Sequence, residues 1–211
     1  MKKQQLKIDL WTEHKDVYSP SAKAPQLVKV PPLTYLAVDG AGDPNTSASF
    51  RNAIGALYSL AYTLKFTFKK ESAIDFRVMP LSGLFHAKEP SVFLEGRKDE
   101  WTWTLMIPIP SLVTAAAVKK AKAEILRKKG DMPSLDLVRR QVVREGLSAQ
   151  VLHVGPYAAE KPTIDALHAF IREKGLTFAG SHHEIYVSDP NRSAPQKMKT
   201  IIRYPVKKEA R

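Results

Sequence analysis

The stretch AQVLHVGPYAAEKPTIDALHAFIREK, residues 149–174, decides the fold, because a strand pattern changes to a helix pattern within it. Residues 149–154 alternate as a strand does, since successive side chains of a strand point to opposite faces. The GPY turn at 155–157 follows, and residues 161–174 then carry apolar side chains at helical spacing. The stretch therefore predicts a strand, a turn and a helix. The buried stripe of that helix is predicted to contain Ile164, Leu167, His168 and Ile171.

Two more strand candidates follow the helix, at 183–187 and 198–204, on either side of the turn-forming loop SDPNRSAP. The order strand–helix–strand–strand also occurs earlier in the chain. The earlier copy is predicted as a strand at 33–38, a helix capped by Asn45, Thr46 or Ser47 and reaching about Phe66, and strands at 75–79 and 101–107. Two copies of one unit predict a duplicated α+β fold with pseudo-twofold symmetry and a ligand cleft near its axis.

The predicted domain boundaries follow from this order. The first module covers about 33–107 and the second about 149–204. Helices are expected to connect them over about 113–144, as 113–129 and 134–144 separated by Gly130 and Pro133. An N-terminal arm is expected over 1–24 and a basic tail over 207–211.

Composition excludes several kinds of chemistry. The chain has 211 residues, no cysteine and a formal net charge of +12, so disulfides, thiolate catalysis and cysteine zinc sites are excluded. The N-terminus has no apolar run after its lysines and no window resembles a membrane span, so a cytoplasmic protein that does not enter a membrane is expected.

The excess positive charge is concentrated in two segments. Residues 113–144 contain nine Lys/Arg and three Asp/Glu, and residues 191–211 contain seven and one. Such clusters can bind phosphates by releasing counterions, but no zinc-finger, RNP-like or helix-turn-helix pattern accompanies them. No specific nucleic-acid partner is therefore expected.

SHHEIYVSDP, residues 181–190, is the segment most indicative of chemistry. On a strand, His182, Glu184 and Tyr186 point to one face. The opposite face, with His183, is mostly apolar and is expected to pack on the helices. Glu184 is then either an ordinary exposed strand residue or a carboxylate in a cleft between two hydrogen-bonding rings. No third metal ligand accompanies His182 and Glu184, so no metal is expected.

Aromatic residues supply a second signal. Trp101 and Trp103 in EWTWTLMIP lie two apart, so both rings share one face of a strand, either in the core or as an aromatic wall. Tyr157, between a strand and a helix, either caps the core or reaches the cleft with its hydroxyl. The chain has no GK[ST] phosphate loop and no G-x-S-x-G elbow.

The segments quoted below, taken together and in their order, resemble the stand-alone branch of the GyrI-like small-molecule-binding family. The resemblance runs from about residue 25 to 206. It rests on these segments: YLAVDGAGDPN, ALYSLAYTLKF, EWTWTLMIP, LHVGPY and HHEIYVSDPNRSAPQKMKTIIRYPV. It implies tandem strand–helix–strand–strand (SHS2) modules forming an antiparallel sheet, with helices on one face and a ligand groove between the modules. Some stand-alone members hydrolyse the cyclopropane of DNA-alkylating natural products and so detoxify them.

The resemblance also implies roles for particular residues. Glu184 matches the groove glutamate, and Tyr186 and Tyr157 match neighbouring tyrosines; these three are the expected catalytic residues. Trp101, Trp103 and His182 are the expected ligand-binding residues. Glu184 would act as general base or water-orienting acceptor. A tyrosine hydroxyl would donate a hydrogen bond to the carbonyl oxygen of a dienone conjugated to the cyclopropane. No cofactor is required. The expected partner is a hydrophobic aromatic small molecule, and a monomer is favoured.

Two alternatives stay open. The same groove suits a binding protein that holds cationic aromatic compounds without turnover, with Glu184 pairing to the cation. Inhibition of DNA gyrase is suggested by the family name, but no segment marks a surface for a protein partner. A transcriptional role is disfavoured, because 24 leading residues are too few for a DNA-binding domain.

Overall fold

A computed structural model describes residues 5–86 and 97–209. Their helices and strands follow the chain in this order: β1 (Leu6–Ile8), α1 (Leu10–Glu13), α2 (Lys15–Tyr18), β2 (Gln26–Val30), β3 (Leu33–Ala41), α3 (Ala48–Ser72), β4 (Ile74–Phe76), β5 (Ser82–His86), β6 (Thr102–Ile109), α4 (Ala115–Lys129), β7 (Arg139–Val143), β8 (Gly146–Val154), α5 (Lys161–Glu173), β9 (Leu176–Phe178), β10 (His182–Tyr186) and β11 (Lys199–Lys208). The chain is therefore mixed α+β with mostly antiparallel strand pairs, as the resemblance implies.

The chain divides into two compact units. The first contains the described residues of Met1–Glu13, Leu33–Leu81 and Phe85–Val143, and the second contains those of His14–Pro32, Ser82–Leu84 and Arg144–Arg211. The resulting division follows the predicted modules only in part, since residues 14–32 precede the first module in sequence but belong to the second unit.

In the first unit, β3 pairs antiparallel with β6 on one side and with β7 on the other. The long helix α3 begins where Ser47 Oγ accepts a hydrogen bond from the Phe50 amide, so Ser47 is the cap among the three candidates that the sequence offers. Its buried stripe packs on the sheet and on α4. The stripe contains Phe50, Ala53, Ala56, Leu57, Leu60, Ala61 and Leu64.

In the second unit, β11 pairs antiparallel with β8, β9 and β10, and β2 pairs with β8. The chain order here is β8, α5, β9, β10 and β11, so a short strand that the sequence did not predict, β9, separates the predicted helix from the two predicted strands. Leu167 and Ile171 of α5 pack on Ala149, Val151 and Ile202 of the sheet, as the predicted stripe requires. This core fixes α5 above β8 and β11.

The predicted helix at 134–144 is wrong. A turn occupies Ser134 and its neighbours, and β7 then pairs with β3 from Arg139 to Val143. The β-branched Val142 and Val143 favour a strand, and the ladder to β3 satisfies their backbone groups. The helix expected at 113–129 is confirmed as α4.

The first module contains two differences from the predicted strands. The strand predicted at 75–79 is the short β4, which pairs in parallel with β1 in a separate two-stranded sheet. The loop predicted after it contains β5 at Ser82–His86, and the part of that loop at 87–96 lies outside the described residues. Residues of the expected N-terminal arm are also folded, since Val17 and Tyr18 of α2 are buried.

Within residues 5–86 and 97–209, no helix is both long and apolar enough to span a bilayer.

Candidate functional site

Strand β10 positions the candidate site through its alternation. His182, Glu184 and Tyr186 are half-buried on one face, whereas His183 and Ile185 are fully buried on the other. The register places Glu184 opposite Ile202 of β11. Since cross-strand partners share a face, Glu184 lies on the same side of the sheet as α5, which packs on Ile202.

This arrangement corrects the expected orientation of β10. The sequence predicts that the His183 face packs on the helices, but α5 lies on the Glu184 face. His183 instead lies opposite Arg203 of β11. The alternating pattern alone did not reveal this, because Ile185 and Val187 on the His183 face are apolar and are compatible with either buried face.

Glu184 is held by two neighbours on its own strand. His182 Nε2 lies 2.8 Å from Glu184 Oε1, and Tyr186 Oη donates to Glu184 Oε2 at 2.9 Å. His182 Nδ1 lies 2.6 Å from the hydroxyl of Tyr204 on β11. An ionised carboxylate only accepts hydrogen bonds, so His182 donates to Glu184 from Nε2.

Glu160 is a site residue that sequence reasoning missed. It directly precedes α5 at the helix cap, and only 5% of it is exposed. Its side chain makes no capping hydrogen bond and lies beside the carboxyl group of Glu184 instead. The sequence contained one signal for this residue: Glu160 immediately precedes KPT at a helix start and lies close to the GPY turn. Its partner Glu184 on β10 is 24 positions away, so no local pattern connects the two residues.

The two carboxyl groups have opposite protonation preferences. Burial, followed by the charge of Glu184, raises the pKa of Glu160 to about 8. Burial also disfavours ionisation of Glu184, but hydrogen bonds from His182, Tyr186 and Glu160 outweigh it and hold the pKa of Glu184 below its usual value. Near neutral pH the pair therefore carries one proton, held on Glu160, and one negative charge.

Aromatic rings surround this pair. Tyr157 lies in a short 3-10 turn before α5, is 41% exposed, and contacts the ring of Tyr186 edge-on with centroids 5.5 Å apart. On the other side, the rings of His168, Phe178 and Tyr204 contact one another with centroids 4.9 Å apart. The carboxyl pair thus lies among rings that can contact a flat ligand.

A buried ionic network supports β10 from its opposite face. Glu145 Oε1 lies 2.8 Å from His183 Nδ1, and Arg203 donates to Glu145 Oε2 at 3.0 Å. Arg203 also donates to the Val17 carbonyl at 2.6 Å and to Gln150 Oε1 at 3.0 Å. Burial disfavours the charge of Glu145, but His183 and Arg203 outweigh it and lower its pKa to about 2.

The two predicted tryptophans belong to the first unit, whereas the Glu184 cluster belongs to the second. Trp103 is 1% exposed; its ring contacts Phe50 edge-on at 5.0 Å, and its indole donates to the Gly42 carbonyl. Trp101 precedes β6, is half-buried and contacts Phe85. The ligand-binding role of both residues stays a prediction.

The first unit also contains an open groove of about 660 Å³ between α3 and α4. Tyr58, Tyr62 and Phe66 stack along its α3 side with centroids 6.3–6.4 Å apart. None of the residues expected at the site lines this groove.

The Glu184 cluster can orient a water molecule and can exchange protons. The pair combines a carboxylate, which accepts, with a protonated carboxyl, which donates. In the described part of the chain, no three His, Asp or Glu side chains are arranged to hold a metal ion.

The fold is that of an α+β protein with a buried carboxyl pair beside aromatic rings, and comparison with known sequences identifies its family. The sequence profile of the GyrI-like small molecule binding domain matches residues 23–207. The chain therefore belongs to the GyrI-like family. No curated protein matches the chain.

Solved structures agree with this assignment. A conserved protein of Listeria innocua is 35% identical with a TM-score of 0.87, over 95% of this chain and 100% of that one. A hydrolase from the same organism is 36% identical with a TM-score of 0.85 over the same shares. The C-terminal domain of EcmrR is 14% identical, over 88% of this chain and 98% of that one; its TM-score of 0.55 shows the fold alone.

Proposed function

We propose that this protein hydrolyses the strained cyclopropane ring of an aromatic, DNA-alkylating small molecule and thereby detoxifies it. Membership of a small-molecule-binding family and the likeness to a Listeria innocua protein described as a hydrolase support the proposal. The observation that carries it is the Glu184 carboxylate, held by His182 and Tyr186 beside a second carboxyl group.

The chemistry needs a water molecule and an electrophile already activated by strain. In a cyclopropane conjugated to a dienone, water attacks a ring carbon while the strained C–C bond breaks and its electron pair moves into the dienone. The carbonyl oxygen then becomes a phenol oxygen. Glu184 accepts a hydrogen bond from the water and orients it, which requires an oxygen–oxygen distance of about 2.6–3.2 Å.

Tyr157 and Tyr186 have different roles in this proposal. The hydroxyl of Tyr186 already donates to Glu184, so this residue fixes the carboxylate. Tyr157 is the more exposed ring of the pair and contacts Tyr186 edge-on. Its position suits stacking on a flat ligand and donating a hydrogen bond to the dienone oxygen as that oxygen gains charge.

A second function, binding of cationic aromatic compounds without turnover, is supported by the same pair. The pair carries one negative charge near neutral pH, and rings border it on both sides, so a flat monocation would find both charge and stacking partners. In this function Glu184 is a counter-ion rather than a group that handles water.

Incubation of a cyclopropane-containing alkylator with a tenfold molar deficit of protein separates the two functions. Ring-opened product measured by mass spectrometry well above one equivalent of protein supports the hydrolase. Compound that stays intact while bound supports the binding protein. Compound that is neither opened nor bound contradicts both.

A further inference from the structure

The position of Glu160 is unusual for a helix cap. An acidic side chain at the start of a helix ordinarily accepts hydrogen bonds from the first free amides and interacts favourably with the helix dipole. Glu160 directly precedes α5 but makes no such bond. Its side chain extends towards Glu184 instead. The carboxyl group therefore gives up the favourable interaction with the helix start and lies beside another carboxyl group.

Two buried carboxyl groups that lie side by side favour a shared proton, because their two negative charges would repel each other if both were ionised. Both oxygens of an ionised carboxylate accept only, so one member of the pair must be protonated to donate. Glu184 already accepts from His182 and Tyr186, which favours its ionised form. Glu160 faces the hydroxyl of Thr200 as a donor, but its Oε1 is buried and, among the described residues, has no hydrogen-bond partner.

The groups around Glu160 add no positive charge that would ionise it. From β10 it faces Glu184 and Tyr186, and from β11 it faces the hydroxyl of Thr200. On its own helix, Lys161 is exposed and paired with Asp165 at 2.8 Å. These surroundings agree with a raised pKa of about 8 for Glu160, caused by burial and then by the charge of Glu184.

We propose that Glu160 is a second catalytic residue, the acid that protonates the substrate oxygen while Glu184 takes a proton from the attacking water. The inference rests on the proposed hydrolysis. As the water oxygen bonds to the ring carbon, its proton passes to Glu184. The C–C bond breaks, its electron pair reaches the dienone oxygen, and the Glu160 proton passes to that oxygen, directly or through a water molecule.

This exchange keeps the charge of the buried pair constant. One proton enters at Glu184 and one leaves at Glu160, so the pair carries one negative charge before and after. Loss of the Glu160 proton also makes Glu184 a better base, because a neighbouring carboxylate disfavours its ionised form. Transfer of the proton from Glu184 back to the neighbouring Glu160 restores the starting state.

The neighbouring tyrosines are poor sources of that proton. Burial and then the charge of Glu184 raise the pKa of Tyr186 well above its usual value, and the same two causes raise the pKa of Tyr204. Their hydroxyls therefore donate hydrogen bonds but keep their protons. Glu160 is the group at this site suited to release a proton near neutral pH.

The test combines a kinetic and a spectroscopic measurement on the full chain. Glu160→Gln keeps the size of the side chain but cannot donate an acidic proton. Glu173→Gln, an exposed position at the end of α5, is the matched control. Rates are measured with a cyclopropane-containing alkylator, binding with its ring-opened product, and protonated carboxyl groups by infrared difference spectroscopy.

We expect Glu160→Gln to reduce the rate by about 10²–10⁴-fold while product binding changes by only a few-fold. We also expect it to remove one protonated-carboxyl band at neutral pH. In the wild-type protein this band should disappear as the pH rises through about 8. Glu173→Gln should change neither rate nor band.

Each other outcome overturns a defined part of the inference. Absence of a protonated-carboxyl band that depends on Glu160 overturns the shared proton. A band that is present while Glu160→Gln keeps the wild-type rate overturns the role as acid. Absence of hydrolysis by the wild-type protein overturns the proposed function, and with it the role of Glu160 as acid. In that case the protonated-carboxyl band still shows whether Glu160 and Glu184 share a proton. If the variant does not fold, titration of the wild-type band tests the shared proton.

Discussion

His182 Nε2 lies 2.8 Å from Glu184 Oε1, and the two residues are two positions apart on the same strand. Because strand residues two apart share a face, the donor that orients the carboxylate is built into the local sequence. Tyr186, two positions further on, donates a hydrogen bond to the other carboxylate oxygen, Oε2. The HxExY pattern thus holds a carboxylate ionised on the face that also carries Glu160 and Tyr157.

Glu184→Gln is expected to lower the rate of cyclopropane hydrolysis by about 10²–10⁴-fold, because an amide cannot accept a proton from water. Affinity for the neutral ring-opened product should change little, since the size of the side chain is kept. Single-turnover kinetics and titration of the product measure the two effects. Glu173→Gln serves as the control, and wild-type rates in Glu184→Gln would exclude Glu184 as the acceptor.

Tyr186→Phe is expected to move the acid limb of the pH–rate profile to higher pH. The Tyr186 hydroxyl donates to Glu184 and is one of the groups that lower its pKa. Without this bond the pKa of Glu184 rises, so the carboxylate is protonated, and activity lost, at a higher pH than in the wild type. Tyr62→Phe, an exposed change on α3, should leave the profile unmoved. An unshifted acid limb in Tyr186→Phe would show that the hydroxyl does not tune Glu184.

Loss of the Glu145 charge is expected to destabilise the fold. Glu145→Gln leaves the Arg203 guanidinium buried beside a neutral amide, which costs about 3–5 kcal/mol in free energy of unfolding. Urea denaturation measures this change. A loss below about 1 kcal/mol would mean that the network under β10 contributes little.

The same network predicts a dependence of stability on acid. The folded-state pKa of Glu145 is lowered to about 2 from an ordinary value of 4.5. A lowered pKa stabilises the folded state above the unfolded value, so this contribution is complete above pH 4.5 and is lost as the pH falls towards 2. The free energy of unfolding should decline less steeply over that interval in Glu145→Gln than in the wild type. Equal slopes would contradict the assignment.

Gly40→Ala is expected to destabilise the first unit by about 1–3 kcal/mol through overpacking. A Cβ at Gly40 would lie only 2.1–2.6 Å from three atoms of the Trp103 ring, which is itself buried. Gly55→Ala on α3 is the matched control, since no atom lies within 4 Å of its added Cβ. That control should be neutral or more stable by about 0.5–1 kcal/mol. Equal thermal midpoints for the two variants would contradict the packing of Trp103.

Much of the fold was predictable because its main elements have strong local patterns. The stripe of α5, the Ser47 cap of α3 and the alternation of β8 all lie within short windows of sequence. The strand β7 was missed because its first three residues, Arg139, Arg140 and Gln141, are polar and show no apolar alternation, so the ladder to β3 decides its conformation. Short strands such as β5 depend on their partners in the same way.

The part of the site that lies on a single strand was predictable from the sequence. Glu184, His182 and Tyr186 share β10, and their common face follows from the two-residue period. The contact between Glu160 and Glu184 depends on how the start of α5 packs over β10, a tertiary relationship that no local window contains. The same reason hides the Glu145–His183–Arg203 network, whose members come from three segments.

A crystal structure of the protein with a ring-opened cyclopropane product tests the central claim most directly. The account predicts that the product lies against the rings of Tyr157 and Tyr186, with its new hydroxyl group within hydrogen-bond distance of Glu184. A product bound in the groove between α3 and α4, or anywhere else without contact to Glu184, would contradict it.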